Sequence, residues 1–154
     1  MTRAIESKAV WSHKSDEWAT PKAVYEALDS EFHFNLDPCS TEDNAKCGFF
    51  FTKEDDGLHK NWGGWRVFCN PPYSNIKDWA KKCYEESSNA LIVMLIPSRT
   101  DTAWFHDYVY GKAEIRFIRG RLKFGNAKHN APFPSMIAIY RKQSSQDSKQ
   151  NRIK

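Results

Sequence analysis

Residues 90–96 read Ala-Leu-Ile-Val-Met-Leu-Ile and stop at Pro97. An unbroken apolar run of this length has no polar face, so it fits a strand buried on both sides of a sheet. It is far too short to cross a bilayer. The rest of the chain supplies alternating helices and strands around it. Val24, Tyr25 and Leu28 stand at helical spacing in residues 22–30, with Thr20 placed to cap the helix and Pro21 at its first position. Phe32, Phe34 and Leu36 alternate with polar residues up to Asp37-Pro38, which predicts a strand ending at that acid. A second strand is expected at residues 47–52, followed by turns at Asp55-Asp56-Gly57 and Gly63-Gly64. Residues 65–69 predict a strand, 76–86 and 101–110 helices, and 113–118 and 135–140 the two last strands. Such alternation predicts an open, mainly parallel α/β sheet, whose ligand sites lie at the carboxyl ends of the strands.

The 154 residues fit one domain, with 40% apolar residues to form its core and 27% charged residues for an ordinary soluble surface. Residues 1–16 are polar and without a period and predict a flexible arm; residues 17–142 form the domain; residues 143–154 read as a disordered polar and basic tail. The N-terminus carries no apolar signal region, which points to the cytoplasm and away from secretion or a membrane. Cys39, Cys47, Cys69 and Cys83 contain no CxxC pair and are expected to be reduced thiols; neither they nor the histidines have metal-ligand spacing, so no metal is expected. The net charge is only +4, but Lys112, Arg116, Arg119, Arg121, Lys123, Lys128 and His129 gather basic residues in the C-terminal third. They read either as a strip facing phosphates or as a solvated face.

The strand at residues 65–69 halts at Asn70-Pro71-Pro72-Tyr73, because neither proline can donate to a sheet ladder. Asn70 is thereby delivered to the strand's carboxyl edge. An acid or amide, two prolines and an aromatic at such a place suit one kind of chemistry. The exocyclic amine of a base such as adenine is a poor nucleophile, since its lone pair is delocalised into the ring. Two acceptors set against its two N–H bonds draw that pair out, and the Asn70 side-chain oxygen and the Pro71 carbonyl can both face the amine. Tyr73 can stack on a base taken out of the duplex. No strong base is needed first, because the amine proton becomes acidic once the nitrogen is substituted. A structural Pro-Pro turn at the strand end is the plain alternative.

The Asn70-Pro71-Pro72-Tyr73 tetrapeptide resembles the catalytic motif of amino-methyltransferases. Together with Trp18-Ala19-Thr20-Pro21, Leu36-Asp37-Pro38-Cys39-Ser40, Asp56-Gly57-Leu58 and Gly120-Arg121-Leu122-Lys123-Phe124, it resembles the small phage DNA N-6-adenine-methyltransferases of the Dam type, over residues 17–141. The resemblance implies a Rossmann-like class I methyltransferase fold, with an open, mainly parallel seven-stranded sheet whose last strand is antiparallel. It implies S-adenosylmethionine as cofactor and duplex DNA as partner, with the target adenine flipped out. Asn70, Pro71, Pro72 and Tyr73 would form the catalytic turn. Trp18, Thr20 and Pro21 would close over the methionine part of the cofactor; Asp37, Pro38 and Cys39 would face it, with Asp37 on its ammonium group; Asp56 would meet the adenosine, and Asn70 lies at the same place. Arg119, Arg121 and Lys123 would meet DNA, with Phe124, or else Phe133, as a second base-stacking ring. Ser40, Thr41 and Glu42 stand where many methyltransferases have a Gly-x-Gly turn, and no insertion is large enough for a separate target-recognition domain. Asp37 or Asp56 as turn acids, Phe124 as a core ring and Trp18 as a hydrophobic staple are the plain readings. The same tetrapeptide could orient the nitrogen of an RNA base or of a protein glutamine. A nucleic-acid-binding module without catalysis is the alternative from another class.

Overall fold

The computed structural model describes residues 19–125 and 129–142. The expected arm and tail, Trp18 and Lys128 lie outside the described residues. Helix α1 (Lys22–Phe32) leads to strands β1 (Leu36–Asp37) and β2 (Phe49–Phe50). After β3 (Arg66–Cys69) come helix α2 (Ile76–Glu86), β4 (Leu91–Pro97), helix α3 (Ala103–Tyr108), β5 (Glu114–Phe117) and β6 (Ser135–Tyr140). The six strands lie in the order β2-β1-β3-β4-β6-β5. β2, β1, β3 and β4 run parallel, while β6 is antiparallel to both β4 and β5. The expected parallel sheet and reversed last strand are present, with six strands among the described residues where the resemblance implies seven.

The apolar run at residues 90–96 sits at the middle of this sheet and feeds two cores by its alternation. Ile92, Met94 and Ile96 face one way, into a cluster with Trp79, Cys83, Trp104 and Phe105 from α2 and α3. Val93 and Leu95 face the other way, with Leu28, Phe32, Phe34, Phe68, Phe124 and Phe133. Helices on both faces explain why no polar residue is tolerated in the run.

Two local expectations fail for identifiable reasons. Helix α1 begins at Lys22 with Pro21 just outside it, and no side chain caps its first turn; the Thr20 hydroxyl is engaged elsewhere. Phe32 belongs to α1 and not to a strand. There the chain turns at His33, whose φ of 55° is left-handed, and the turn is closed by the His33 N–H on the Asp29 carbonyl at 2.8 Å. The Phe34 N–H on the Asp29 carboxylate at 2.9 Å completes it. The period-two burial of Phe32, Phe34 and Leu36 is real, but it is produced by a helix end followed by a two-residue strand. Arg116 on β5 grips both carboxylate oxygens of Glu31 at 2.7 and 2.8 Å, tying α1 to that end of the sheet. No helix among the described residues is long and apolar enough to cross a membrane.

Candidate active site

β1 and β3 are neighbours, yet the chain leaves β1 for β2 on one side and reaches β3 on the other. At such a switch point the connecting segments diverge and leave a crevice beyond the carboxyl ends of the strands. A cavity of about 780 Å³ opens there, walled by the segments that follow β1, β2 and β3. That volume suits a drug-sized or nucleoside-sized ligand. It brings together Thr20, Asp37, Pro38, Cys39, Asp56, Asn70 and Pro72 from the expected set. Pro21, Pro71, Tyr73, Phe124, Phe133, Arg119, Arg121 and Lys123 are not among its walls.

The segment after β1 uses side chains where many methyltransferases use glycines. Thr41 and Asn44 are reciprocally bonded: the Thr41 N–H donates to Asn44 Oδ1 at 2.8 Å and the Asn44 N–H to Thr41 Oγ1 at 3.2 Å. Ser40 N–H donates to the Phe51 carbonyl at 3.1 Å, so the turn is pinned to the segment following β2. Asp37 is 5% exposed, and its carboxylate accepts from the N–H groups of Cys39 and Lys46 at 3.3 and 3.2 Å. Asp37 therefore does cap the turn, and it also borders the cavity. Burial pushes its carboxyl up to about 6, against those two hydrogen bonds and the Lys46 charge, which pull it down.

Asp56 has a left-handed φ of 60° and holds the His59 ring at 2.6 Å. It is the turn acid of the plain reading, and it lies on the cavity wall as well. The neighbouring Gly57 is where backbone meets backbone. A Cβ at that position would lie 2.1 Å from the Pro38 carbonyl oxygen, so only glycine lets this turn close on the segment after β1. Its own carbonyl accepts from the buried Trp62 indole at 3.0 Å.

The Asn-Pro-Pro-Tyr turn follows β3 as the pattern predicts and runs into α2 through a single tight turn at Tyr73–Asn75. The Asn70 backbone carbonyl accepts from the Cys39 thiol at 3.4 Å, and the Asn70 side-chain amide donates to Thr20 Oγ1 at 2.9 Å. Tyr73 is half-buried, with its ring edge-on to Phe133 at 5.3 Å between centroids and 75° between planes. Burial also pushes the Tyr73 phenol up, so its hydroxyl stays protonated. Phe124 and Phe133 are only 3% and 8% exposed and pack on each other. Phe124 thus packs as a core ring, and Phe133 backs Tyr73.

Arg119, Arg121 and Lys123 are exposed on the segment after β5. Arg116 does not share their freedom, being held by Glu31 and Glu114. Lys112 lies over the Tyr84 ring at 5.6 Å. The sequence pattern gives no site role to Asn44, Lys46, Glu54 or Trp79, and notes Ser40 and Glu42 only at the place of a glycine turn, yet all six border the cavity. They surround the expected residues only once β1, β2 and β3 are adjacent. The four cysteines are free.

A parallel sheet in this order with its last strand reversed, and an Asn-Pro-Pro-Tyr turn beside the cavity at its switch point, define a Rossmann-like methyltransferase fold. The family model described as DNA N-6-adenine-methyltransferase (Dam) matches residues 7–152. The chain belongs to that family. It is 36% identical over 110 residues to a DNA N-6-adenine-methyltransferase of Escherichia phage T1, covering 70% of this chain and 46% of that protein. It thus spans about half the length of that relative. It is 36% identical over 120 residues to a DNA N-6-adenine-methyltransferase of Haemophilus phage HP1, covering 73% of this chain and 69% of the other. A putative methyltransferase of Escherichia coli K12, YfdM, is 35% identical over 65 residues, which is 38% of this chain and 71% of that one.

Proposed function

We propose that this protein transfers a methyl group from S-adenosylmethionine to the exocyclic amine of adenine in duplex DNA. The observation that carries the proposal is the placement of Asn70 at the wall of the switch-point cavity, with its backbone and its side-chain amide held by separate partners. The family and its phage relatives support adenine in DNA as the acceptor.

The walls fit the cofactor. Asp37, Glu42, Glu54 and Asp56 place four carboxylates around the cavity, a set suited to a ligand bearing an ammonium, a sulfonium and a ribose diol. Ser40 Oγ is buried beside them with no hydrogen-bond partner among the described residues, as a group kept for a ligand would be. We assign Asp37 to the ammonium, Asp56 to the adenosine, Thr20, Pro21 and Trp18 to the methionine end, and Pro38 and Cys39 to the floor. S-adenosylmethionine supplies a sulfonium-activated methyl when bound. The chain's own part is to fix the amine: Asn70 and the Pro71 carbonyl accept its two N–H bonds, Pro72 stiffens the turn, and Tyr73 provides a ring face for the flipped base. Cofactor binding should tighten as pH rises, because only ionised Asp37 attracts an ammonium. With the carboxyl at about 6, affinity measured by calorimetry should be about tenfold weaker near pH 5 than near pH 7.5, and Asp37→Asn should remove that dependence. The sign for folding is opposite. A carboxyl raised by burial stabilises the fold when protonated, and that contribution is lost as pH rises through about 6.

The direct test is incubation of the protein with duplex DNA and methyl-labelled cofactor, followed by digestion and identification of N6-methyladenine. Label in another base, in RNA or in protein, or none at all, would overturn the proposal. Arg119, Arg121 and Lys123 are assigned to phosphates. DNA binding should therefore weaken steeply with salt, and neutralising any one of them should flatten the slope by about one unit. An unchanged slope in all three variants would return them to a solvated face.

A further inference from the structure

We infer that Thr20 is a positioning residue, whose hydroxyl holds the Asn70 side chain in the orientation that directs its oxygen at the reacting amine. The inference rests on the methyl-transfer reading for its catalytic consequence, but its structural basis is independent of it. Thr20 precedes helix α1, where a threonine would ordinarily cap the first turn. It makes no such cap. Its hydroxyl accepts instead from Asn70 Nδ2 at 2.9 Å, across fifty residues of chain, and Thr20 is 6% exposed. A bond so sheltered from water is not easily exchanged for one to solvent.

The chemistry makes that contact matter. The two ends of an asparagine amide are nearly the same size and opposite in character, one an acceptor and the other a double donor. Only the oxygen can draw an amine N–H; the flipped side chain would set donors against donors. The bond from Nδ2 to Thr20 holds the side chain in the orientation that turns Oδ1 away from Thr20, without touching the substrate. The anchor is itself held. The Ala19 carbonyl accepts from the Gly125 N–H at 2.9 Å, and the Pro21 carbonyl accepts from the Tyr25 N–H at 3.1 Å, so the backbone is fixed on both sides of Thr20. The Cys39 thiol on the Asn70 carbonyl holds the backbone of that residue, and the bond to Thr20 acts on its side-chain torsions. Threonine is also stiff about its first side-chain torsion, which suits an acceptor of fixed place.

Thr20→Val keeps shape and branching and deletes the hydroxyl; Thr20→Ser keeps the hydroxyl. Single-turnover methyl transfer to duplex DNA at saturating cofactor should fall about 10- to 30-fold in Thr20→Val and stay within about threefold in Thr20→Ser. Because Thr20 also borders the cofactor cavity, cofactor affinity is measured separately by calorimetry and the rates are compared at saturating cofactor, where a binding contribution of Thr20 no longer counts. In an Asn70→Ala background, Thr20→Val should slow the residual reaction by no more than about twofold, since its partner is already gone. A fully active Thr20→Val, equal losses in Val and Ser, a loss that disappears at saturating cofactor, or the same Val penalty with and without Asn70 would each overturn the inference. Hydrogen exchange of the Asn70 side-chain amide, followed by NMR on the full chain, separates this inference from the reading of function. If the wild type methylates no DNA, that reading fails, while amide protons equally protected in wild type and Thr20→Val would overturn the role of Thr20 itself.

Discussion

Asn70→Ala is expected to slow methyl transfer about 10² to 10³-fold, the usual cost of losing one preorganised hydrogen-bonding group at a reacting centre. The loss should fall on the rate at saturating cofactor and not on cofactor affinity, because Asp37 and the turn after β1 keep their own partners when the amide is gone. The fold should survive with a small penalty. Asn70 is half-buried, and the substitution leaves the sheltered Thr20 hydroxyl without this donor, worth about 1 kcal/mol. Single-turnover transfer of a labelled methyl group, with a calorimetric titration of the cofactor, measures both quantities. Turnover close to wild type would remove Asn70 from the reaction and with it the assignment of the turn.

A comparably large effect, on stability, is expected from Gly57→Ala. The added methyl would enter the space of the Pro38 carbonyl oxygen, 2.1 Å away, with the Trp79 ring 3.3 Å away. Neither neighbour can swing aside as a flexible side chain could. The Pro38 carbonyl belongs to the segment leaving β1, and Trp79 is 7% exposed in the core beneath α2. Overpacking of this kind costs about 3 kcal/mol or more, which for a chain of this size is a fall in Tm of roughly 6 to 12 °C. The same shift would separate the two walls of the cavity, so cofactor binding should be lost at temperatures where the variant is still folded. Thermal unfolding by circular dichroism together with the titration tests this. A variant with unchanged Tm would mean that the two segments are not in the contact described.

The sequence pattern carries the sheet and its switch point well, because both depend on strong local signals. The apolar run at residues 90–96 has one physical solution, and two consecutive prolines can only end a strand. Residues 76–86 and 135–140 match α2 and β6 residue for residue. What escapes the pattern is set by distant partners. The Thr20 hydroxyl has a local use as a cap and a remote use on Asn70, and periodicity cannot choose between them. Phe124, directly after Lys123, and Phe133 look available to a base in the sequence, but whether a ring is presented or packed depends on the layer that covers it. Here that layer is the core formed with α1. Gly57 reads as an ordinary turn glycine after Asp55-Asp56; its need to be glycine arises only from the approach of Pro38. The four carboxylates of the cavity come from segments as far apart as Asp37 and Asp56, and only the adjacency of β1 and β2 gathers them.

The place of β6 in the sheet bears on how the molecule comes into being. β5 touches no strand except β6, and β6 lies between it and β4. Order in space and order of synthesis therefore conflict: β5 leaves the ribosome before the strand that alone can dock it. Until residues 135–140 emerge, β4 shows an open edge of seven residues to the cell, and the exposed arginines of the β5 to β6 segment have no fixed position. A nascent chain could shape the cavity from β1, β2 and β3 early, yet its basic strip would be assembled last. On the proposed reading, in which those side chains meet phosphates, an unfinished chain would lack a placed polyanion-binding surface.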